Sequence, residues 1–481
     1  MAINNGNHCE EPPVAVVVVP LPAQGHLNQL LHLSRRLTSA AAGRLSVHYV
    51  AGAAHIRQAK LRALGPNSNP SPLPNIDFHE LPVPPFNNPE PDPHAPTKFP
   101  SQLIPSFHAT LDLRAPILAF VTELSARHKR VVVIYDSLMT YVVQDVDSVP
   151  NVESYCFWSV SAFCLQFARW DAAGRPQLPE NEKETEILFR DLPGLDNCFS
   201  PEFALFRKMQ RSSRKTFSGD IYNSSRVIEG PYLEYLSKGV EKQWAVGPFN
   251  PIGITGNLDS PIKNECLDWL DRQSPDGSVI FVSFGTTTSI SDEQINELAI
   301  GLEKSGQKFI WALREADKGD IFTGGGERAR RRPVLPDGFE ERVKGWGLVA
   351  REWAPQLEIL GHRAIGGFMS HCGWNSCMES MSNGVPIIAW PMHSDQPANA
   401  VLVTRVLKIG LRVKDDAVPP TENEVVRACV VEKVVRKLMA SEEGDEIRRR
   451  AQEFGVAVRD CVKEGGVSSK EMDSFVSHIT R

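Results

Sequence analysis

Three short turns in this chain carry the residue types that could do chemistry. The first runs through His371, Gly373, Trp374, Asn375 and Ser376, after an apolar run and before a helical stretch that continues to Asn383. A helix N-terminus presents free backbone N–H groups at the positive end of its dipole, so a glycine-containing turn there suits a diphosphate. Glu379 lies one helical turn further on, where a carboxylate can accept hydrogen bonds from a diol such as that of a ribose. Upstream, Trp353 offers a flat face on which a planar base can stack, and Gln356 a polar group for the edge of the base or the ribose. A second turn, Gly285, Thr286 and Thr287 after the run "VIFVSF", can add N–H and hydroxyl contacts to phosphate. Any one of these residues alone reads as a helix cap or a core tryptophan; the constellation is what points to an anion site.

Near the start, the segment "PLPAQGHLNQLLHL" places His26 beside Gly25 in the first loop. An imidazole titrates near neutrality and can take the proton from an attacking hydroxyl. It needs an orienting partner, and Asp136 stands at the end of the apolar run "RVVVIY", where a carboxylate could hold the tautomer and stabilise the imidazolium. The plain alternatives are a helix-start histidine open to solvent and an ordinary turn aspartate.

These residues need elements to hold them. Val14 to Val19 is continuous, β-branched and closed by Pro20, the pattern of a strand covered on both faces of a parallel sheet. Leu27, Leu30, Leu31 and Leu37 then recur at helical spacing. Further strands are expected at Leu45 to Val50, Val131 to Tyr135 and Tyr155 to Trp158, a helical stretch at Leu103 to Leu124, and irregular chain from Pro66 to Pro105. A second series, Val279 to Phe284, Phe309 to Leu313, Ile365 to Met369 and Ile387 to Trp390, alternates with helical windows such as Asp292 to Ser305. The expectation is an α/β protein of two Rossmann-like domains facing a cleft, residues 1–250 and 265–481 joined by a Gly-, Pro- and Asn-rich linker at 251–264, with the last helix returning to the first domain. Ligands of such sheets bind at the carboxyl ends of strands, which directs attention to the loops after Val19, Tyr135, Phe284, Met369 and Trp390.

The unbroken segment Trp353 to Gln396, "WAPQLEILGHRAIGGFMSHCGWNSCMESMSNGVPIIAWPMHSDQ", closely resembles the 44-residue signature box of plant secondary-product UDP-glycosyltransferases. The resemblance extends through "CLDWLDRQSPDGSVIFVSFGT" and "QGH" and covers most of the chain. It implies a GT-B fold with UDP-glucose as co-substrate in the C-terminal domain, held by Gly285, Thr286, Trp353, Ala354, Gln356, His371, Gly373, Trp374, Asn375, Ser376 and Glu379. It also implies that Asp395 and Gln396 bind the sugar hydroxyls, a terminal Gln being associated with glucose donors, and that His26 is the catalytic base with Asp136 as its partner. The implied reaction is one in-line displacement with inversion, the leaving charge met by oriented donors without a metal or other cofactor. Asn28 and Gln29 depart from the Asn-Pro pair that most of the family carries. In the acceptor half, "PLPAQGHLNQLLHLSRRL", "YDSLM", "CFWSVSAF" and "DLPGL" are similar to the zeatin O-glucosyltransferases, whose relatives also act on flavonoids or transfer xylose. The aromatic stretch Phe157, Phe163, Phe167, Trp170, Phe199, Phe203 and Phe206 is either the wall of an apolar acceptor pocket or ordinary core.

Composition narrows the alternatives. The chain has 481 residues, 42% apolar and 23% charged, and a formal net charge of −6, which disfavours a nucleic-acid or anionic-membrane surface and leaves small molecules, a UDP-sugar and an acceptor, as the expected partners. The basic cluster Arg328 to Arg332 beside Gly324 to Gly326 reads as an exposed insertion, and Asp145 with Asp147 as surface charge rather than a metal pair. Nine cysteines without paired metal-ligand spacing suggest reduced thiols, and neither end reads as a signal peptide or membrane span, so a cytoplasmic monomer is expected. A nucleotide-dependent oxidoreductase is disfavoured because the first loop has one glycine where a dinucleotide fingerprint has three. A UDP-sugar-binding protein without activity is disfavoured by the presence of both His26 and Asp136.

Overall fold

A computed structural model describes residues 13–64, 75–214, 217–240, 242–251, 264–322, 334–414 and 424–481. Most of the expected linker, the cluster Arg328 to Arg332 and Cys9 lie outside the described residues. The first sheet holds β1 (Val14–Val19), β2 (Leu45–Gly52), β3 (Ile76–Leu81), β4 (Arg130–Asp136), β5 (Val152–Trp158), β6 (Gly219–Tyr222) and β7 (Gln243–Ala245), all parallel, in the spatial order β3-β2-β1-β4-β5-β6-β7. The second holds β8 (Val279–Ser283), β9 (Lys308–Ala312), β10 (Gly347–Ala350), β11 (Ile365–Ser370), β12 (Ile387–Ala389) and β13 (Gly410–Arg412), also parallel, in the order β10-β9-β8-β11-β12-β13. In each sheet the chain winds outward one way from its first strand and then crosses to wind the other way. The reversal falls between β1 and β4 in the first sheet and between β8 and β11 in the second, the crevice where doubly wound sheets hold ligands.

The strands at these reversals are buried almost throughout. All six residues of β1 are buried, with Val16 level with Val47 on one side and Val132 on the other. Such strands are covered by helices on both faces, which is why they read as continuous rather than alternating hydrophobic runs. The helix Gln24–Ala41 buries Leu27, Leu30, Leu31 and Leu37 and ends at Ala42 in the left-handed region, φ 49°. The last helix, Val467–Ile479, lies against that helix and β7. Its Met472, Phe475, Val476 and Ile479 share a core with Leu30, Val47 and Tyr155, and its Glu471 accepts a hydrogen bond from the Ala245 N–H at 2.7 Å.

Two expectations about elements need correction. The span from Pro66 to Pro105 is not wholly irregular, because β3 forms within it as an edge strand paired to β2, Val47 beside Ile76. Its polar, half-exposed residues hide the strand pattern, as edge strands do. The stretch Leu103 to Leu124 is not one helix. It breaks into Ile104–Ala109 and Arg114–Ser125 with a 3-10 turn, Thr110–Leu113, between. Pro116 has no N–H to donate to the carbonyl of Asp112, so a continuous helix would lose that bond and clash.

The aromatic stretch is mostly core. Phe163, Phe167 and Trp170 pack with Phe189 at centroid distances of 5.2, 5.5 and 5.6 Å, in a cluster that continues across the domain boundary to Phe281, Phe368 and Trp374. Phe157, Phe203 and Phe206 are also buried, and Phe199 alone of the seven is partly exposed.

Candidate active site

The two reversals face one another. Asn375, in the first turn of the helix Trp374–Asn383, donates from Nδ2 to the carbonyl of Gly25 at 2.8 Å, which brings the loop after β11 against the loop after β1. His26 lies in the first turn of its helix, and its Nδ1 is 2.6 Å from Oδ2 of Asp136, the last residue of β4. Asp136 is fully buried, and its Oδ1 accepts from the Leu138 N–H at 2.9 Å, so the carboxylate is oriented before any substrate arrives. With a carboxylate as acceptor, the neutral ring carries its proton on Nδ1, which leaves the Nε2 lone pair free to act as a base. Ser159 Oγ also approaches Nδ1, at 3.0 Å. Burial by itself would favour the neutral ring. The field and hydrogen bond of Asp136, helped by the charge of Asp395, outweigh it and hold the His26 pKa above its ordinary 6.5.

On the facing side, the helix opening at Trp374 has Gly373 at its N-cap and no side-chain cap. By contrast, Ser161, Ser200, Ser225, Ser291 and Ser441 each cap their own helices by accepting from a first-turn N–H. The His371 ring stands between two glycines: a Cβ on Gly285 would lie 2.7 Å from its Nε2, and one on Gly373 would lie 2.5 Å away. Gly285 is also at φ +78°, a conformation that costs a residue with a side chain about 1 kcal/mol or more. Burial lowers the His371 pKa to about 4, so the ring is neutral, and its Nδ1 has no partner in the protein. The neutral ring packs by its Nε2 side against the two glycines, and the uncapped N–H groups beyond Gly373 can form a cradle for phosphate oxygens.

The remaining expected donor residues are held as follows. Gln356 Nε2 donates to Ser376 Oγ at 3.0 Å and to the Glu379 carboxylate at 2.8 Å, which joins these three residues into one network. Burial raises the Glu379 pKa to about 7, against the opposing hydrogen bond from Gln356. Trp353 keeps 38% of its surface exposed, with the Arg314 guanidinium 5.7 Å from its ring centroid, while Ala354 packs against the core. Thr286 is tied down through its carbonyl, which accepts from the Asp317 N–H at 2.6 Å. Asp395 accepts from Asn399 Nδ2 at 2.7 Å, and burial raises its pKa despite that bond and the nearby His26. Gln396 is turned inward: its Oε1 accepts from the N–H groups of Met392 and His393 at 2.9 and 3.0 Å. Trp374 also turns its ring away from the turn, burying it and donating from Nε1 to the Asn223 carbonyl at 2.8 Å, so only its backbone N–H lies at the helix start.

Two family profiles divide the chain between them: "Glycosyltransferase, N-terminal domain" over residues 12–251 and "UDP-glucoronosyl and UDP-glucosyl transferase" over residues 250–432. A zeatin O-glucosyltransferase of Phaseolus lunatus is 52% identical over 483 aligned residues that cover 100% of both chains. The chain belongs to the plant UDP-glycosyltransferases. A zeatin O-xylosyltransferase of Phaseolus vulgaris is 50% identical to the transferase over the full length of both. The structure of Phytolacca americana UGT2 complexed with UDP-2fluoro-glucose and pterostilbene matches with a TM-score of 0.72 at 27% identity, covering 97% of this chain and 99% of that one. The transferase therefore has the GT-B fold, with two parallel-sheet α/β domains.

Sequence reasoning did not pick out some residues that lie beside the candidate site. Thr288 and Arg314 line a cavity of about 50 Å3 beside Gly285, where Thr288 Oγ1 and Arg314 Nε have no partner in the protein. Ser159 was also missed, although it immediately follows β5 at the same edge of the sheet as Asp136, so the rule of strand ends could have found it. Asp145 pairs with Arg114 at 2.6 Å, and among the described residues no group of three or more His, Cys, Asp or Glu side chains could hold a metal ion. Among the described residues no helix is long and apolar enough to cross a membrane.

Proposed function

We propose that the transferase moves glucose from UDP-glucose onto the side-chain hydroxyl of zeatin, giving an O-glucoside of inverted configuration. His26 Nε2 takes the hydroxyl proton as the oxygen attacks the anomeric carbon, and Asp136 stabilises the imidazolium that forms. UDP departs toward His371, Asn375, Ser376 and the N–H groups behind Gly373, with Gln356 and Glu379 on the ribose, Trp353 on the uracil, and Asp395 with the amide nitrogen of Gln396 on the sugar, the Gln396 oxygen being held by the backbone. The observation that carries this reading is the Asp136-held imidazole, its Nε2 free, directly across from the uncapped helix start. The acceptor rests on the 52% identity to a zeatin O-glucosyltransferase over the full length of both chains.

Incubation of the purified chain with UDP-glucose and cis- or trans-zeatin, with mass spectrometry and NMR of the product, tests it. A side-chain O-glucoside is expected, with no turnover of isopentenyladenine, which lacks the hydroxyl. Glucose on a ring nitrogen, or turnover of a flavonoid with neither zeatin isomer reacting, would overturn the acceptor. The equally long match to a zeatin O-xylosyltransferase favours one second reading, xylose as the sugar, and competition between UDP-glucose and UDP-xylose separates the two. The proposal assigns the leaving charge to protein donors, so activity is expected to survive chelation; loss that Mg²⁺ or Mn²⁺ restores would refute that part. A cytosolic location is part of the proposal and is supported by the eight cysteines of the described residues, all free thiols and seven of them buried.

A further inference from the structure

The hydrogen bonds around His26 close into a circuit that crosses both domains. His26 Nδ1 meets Ser159 Oγ at 3.0 Å, and the Ser159 carbonyl accepts from Gln29 Nε2 at 3.0 Å. Gln29 Oε1 accepts from Asn223 Nδ2 at 2.9 Å, and the Asn223 carbonyl accepts from Trp374 Nε1 at 2.8 Å. The next residue, Asn375, returns the circuit to the Gly25 carbonyl, directly before His26. The same Asn223 amide is also pinned at its oxygen, since Oδ1 accepts from the Phe249 N–H at 3.2 Å. Gln29, Asn223 and Trp374 are 4%, 2% and 3% exposed, so no water replaces a broken link at low cost. The Gln29 position calls for a donor toward Ser159 and an acceptor toward Asn223, a combination that an amide supplies and neither a carboxylate nor an apolar chain does.

We propose that Gln29 is a positioning residue for the transfer. Through Ser159 on one side and Asn223 on the other, it holds the His26 imidazole and the start of the donor helix in one geometry. The two ends it connects belong to different domains, so their register is not set by either sheet alone. Misplacement by about 1 Å of a catalytic group can cost about a hundredfold in rate, even when each substrate still binds. Asp136 and Asp395 are the charged groups whose fields reach the ring, and Gln29 acts beside them through geometry rather than charge. The proposal rests on His26 being the base.

The test uses the full chain carrying Gln29→Met, a near-isosteric change that removes both bonds. With UDP-glucose and zeatin, or the flavonoid that the acceptor screen selects, kcat is expected to fall about tenfold or more while UDP affinity by calorimetry stays within about threefold. The acidic limb of the kcat–pH profile should move to lower pH, because the Ser159 hydroxyl, which shares the Nδ1 proton of the imidazolium with Asp136, loses its place. Ser159→Ala removes that hydroxyl and keeps the carbonyl, and it should move the limb the same way. The double variant should be only about twofold worse than Gln29→Met, since both act along one path. A merely space-filling Gln29 would lower the melting temperature and leave the limb where it is. Wild-type kcat and limb in folded Gln29→Met, or multiplicative effects in the double variant, would overturn the proposal. Should Gln29→Met fail to fold, Ser159→Ala still breaks the link to the ring without adding a charge; an unmoved limb in Ser159→Ala then refutes it. Normal turnover by His26→Ala would defeat the reading of the base instead, whereas an inactive His26→Ala beside an unaffected Gln29→Met defeats this inference alone.

Discussion

Asp136→Asn isolates what the buried carboxylate does for His26. The substitution keeps the size of the side chain but removes its charge and can present an N–H to Nδ1, which favours the tautomer with its proton on Nε2, the wrong one for a base. The bond at risk is short, 2.6 Å, and lies on a residue with no exposure, so it is scarcely screened by solvent. A hydrogen bond to an ionised partner is worth about 1.5–3 kcal/mol, or roughly 10- to 150-fold in rate at ~1.4 kcal/mol per decade. That loss should not exceed the contribution of the base itself, about 10²- to 10⁴-fold. A fall in kcat of about a hundredfold is therefore predicted, with the donor KM nearly unchanged because Asp136 belongs to the opposite domain from the donor box.

The pH dependence gives that prediction a second, signed readout. In the wild type the His26 pKa is raised, so activity requires the pH to climb past a limb above 6.5. Without the carboxylate, burial is left as the dominant influence and it favours the neutral ring, so the limb should fall below that of the wild type. Stability follows the same linkage: a histidine whose folded pKa is raised stabilises the fold below its unfolded pKa, and that contribution disappears as pH rises through the folded value. The melting-temperature gap between wild type and Asp136→Asn should thus be widest near pH 5 and narrow toward pH 8. Steady-state kinetics from pH 5 to 9 and thermal melts over the same range are the measurements. A limb that does not move, or a kcat within about threefold of wild type, would show that Asp136 does not govern His26.

Two further substitutions probe the donor side. Glu379→Gln removes a buried carboxyl whose pKa is raised to about 7, so it should stabilise the unliganded protein at pH 8, where the wild type carries the charge, yet weaken UDP binding about tenfold by removing an acceptor for the ribose; unchanged affinity by calorimetry would remove Glu379 from the ribose site. Gly285→Ala places a Cβ 2.7 Å from His371 Nε2 at φ +78°, and Gly373 on the other side leaves the ring no retreat, so the donor KM should rise about tenfold or more with a lower melting temperature; kinetics like those of the wild type would mean that the His371 ring need not hold its place.

Much of this molecule is legible in its sequence because its decisive features are local. A β-branched run covered on both faces, a glycine turn and an amphipathic helix are each set by a few consecutive residues, so "VAVVVV" announced β1, and the segment from Trp353 to Gln396 announced the donor side with its helix at Trp374–Asn383. The loops after the strands at both reversals were named for the same reason. What local pattern could not carry were features that depend on partners far along the chain. The edge strand β3 needs β2 beside it before its polar residues make sense, and the Phe163, Phe167 and Trp170 rings became core because Phe189, on a later helix, packs against all three. The site shows the same division. Residue type made His26 and Asp136 candidates, but their 2.6 Å contact spans 110 residues of sequence and exists because β1 and β4 are neighbours. The sequence offered Gln396 as a sugar ligand and Trp374 as part of the phosphate turn; the turn before its own helix holds the Gln396 oxygen, on the N–H groups of Met392 and His393, whereas tertiary packing carried the Trp374 ring to Asn223, far along the chain. Burial forces each polar atom to find whichever partner the fold places within reach, and that choice belongs to the assembled chain rather than to any segment of it.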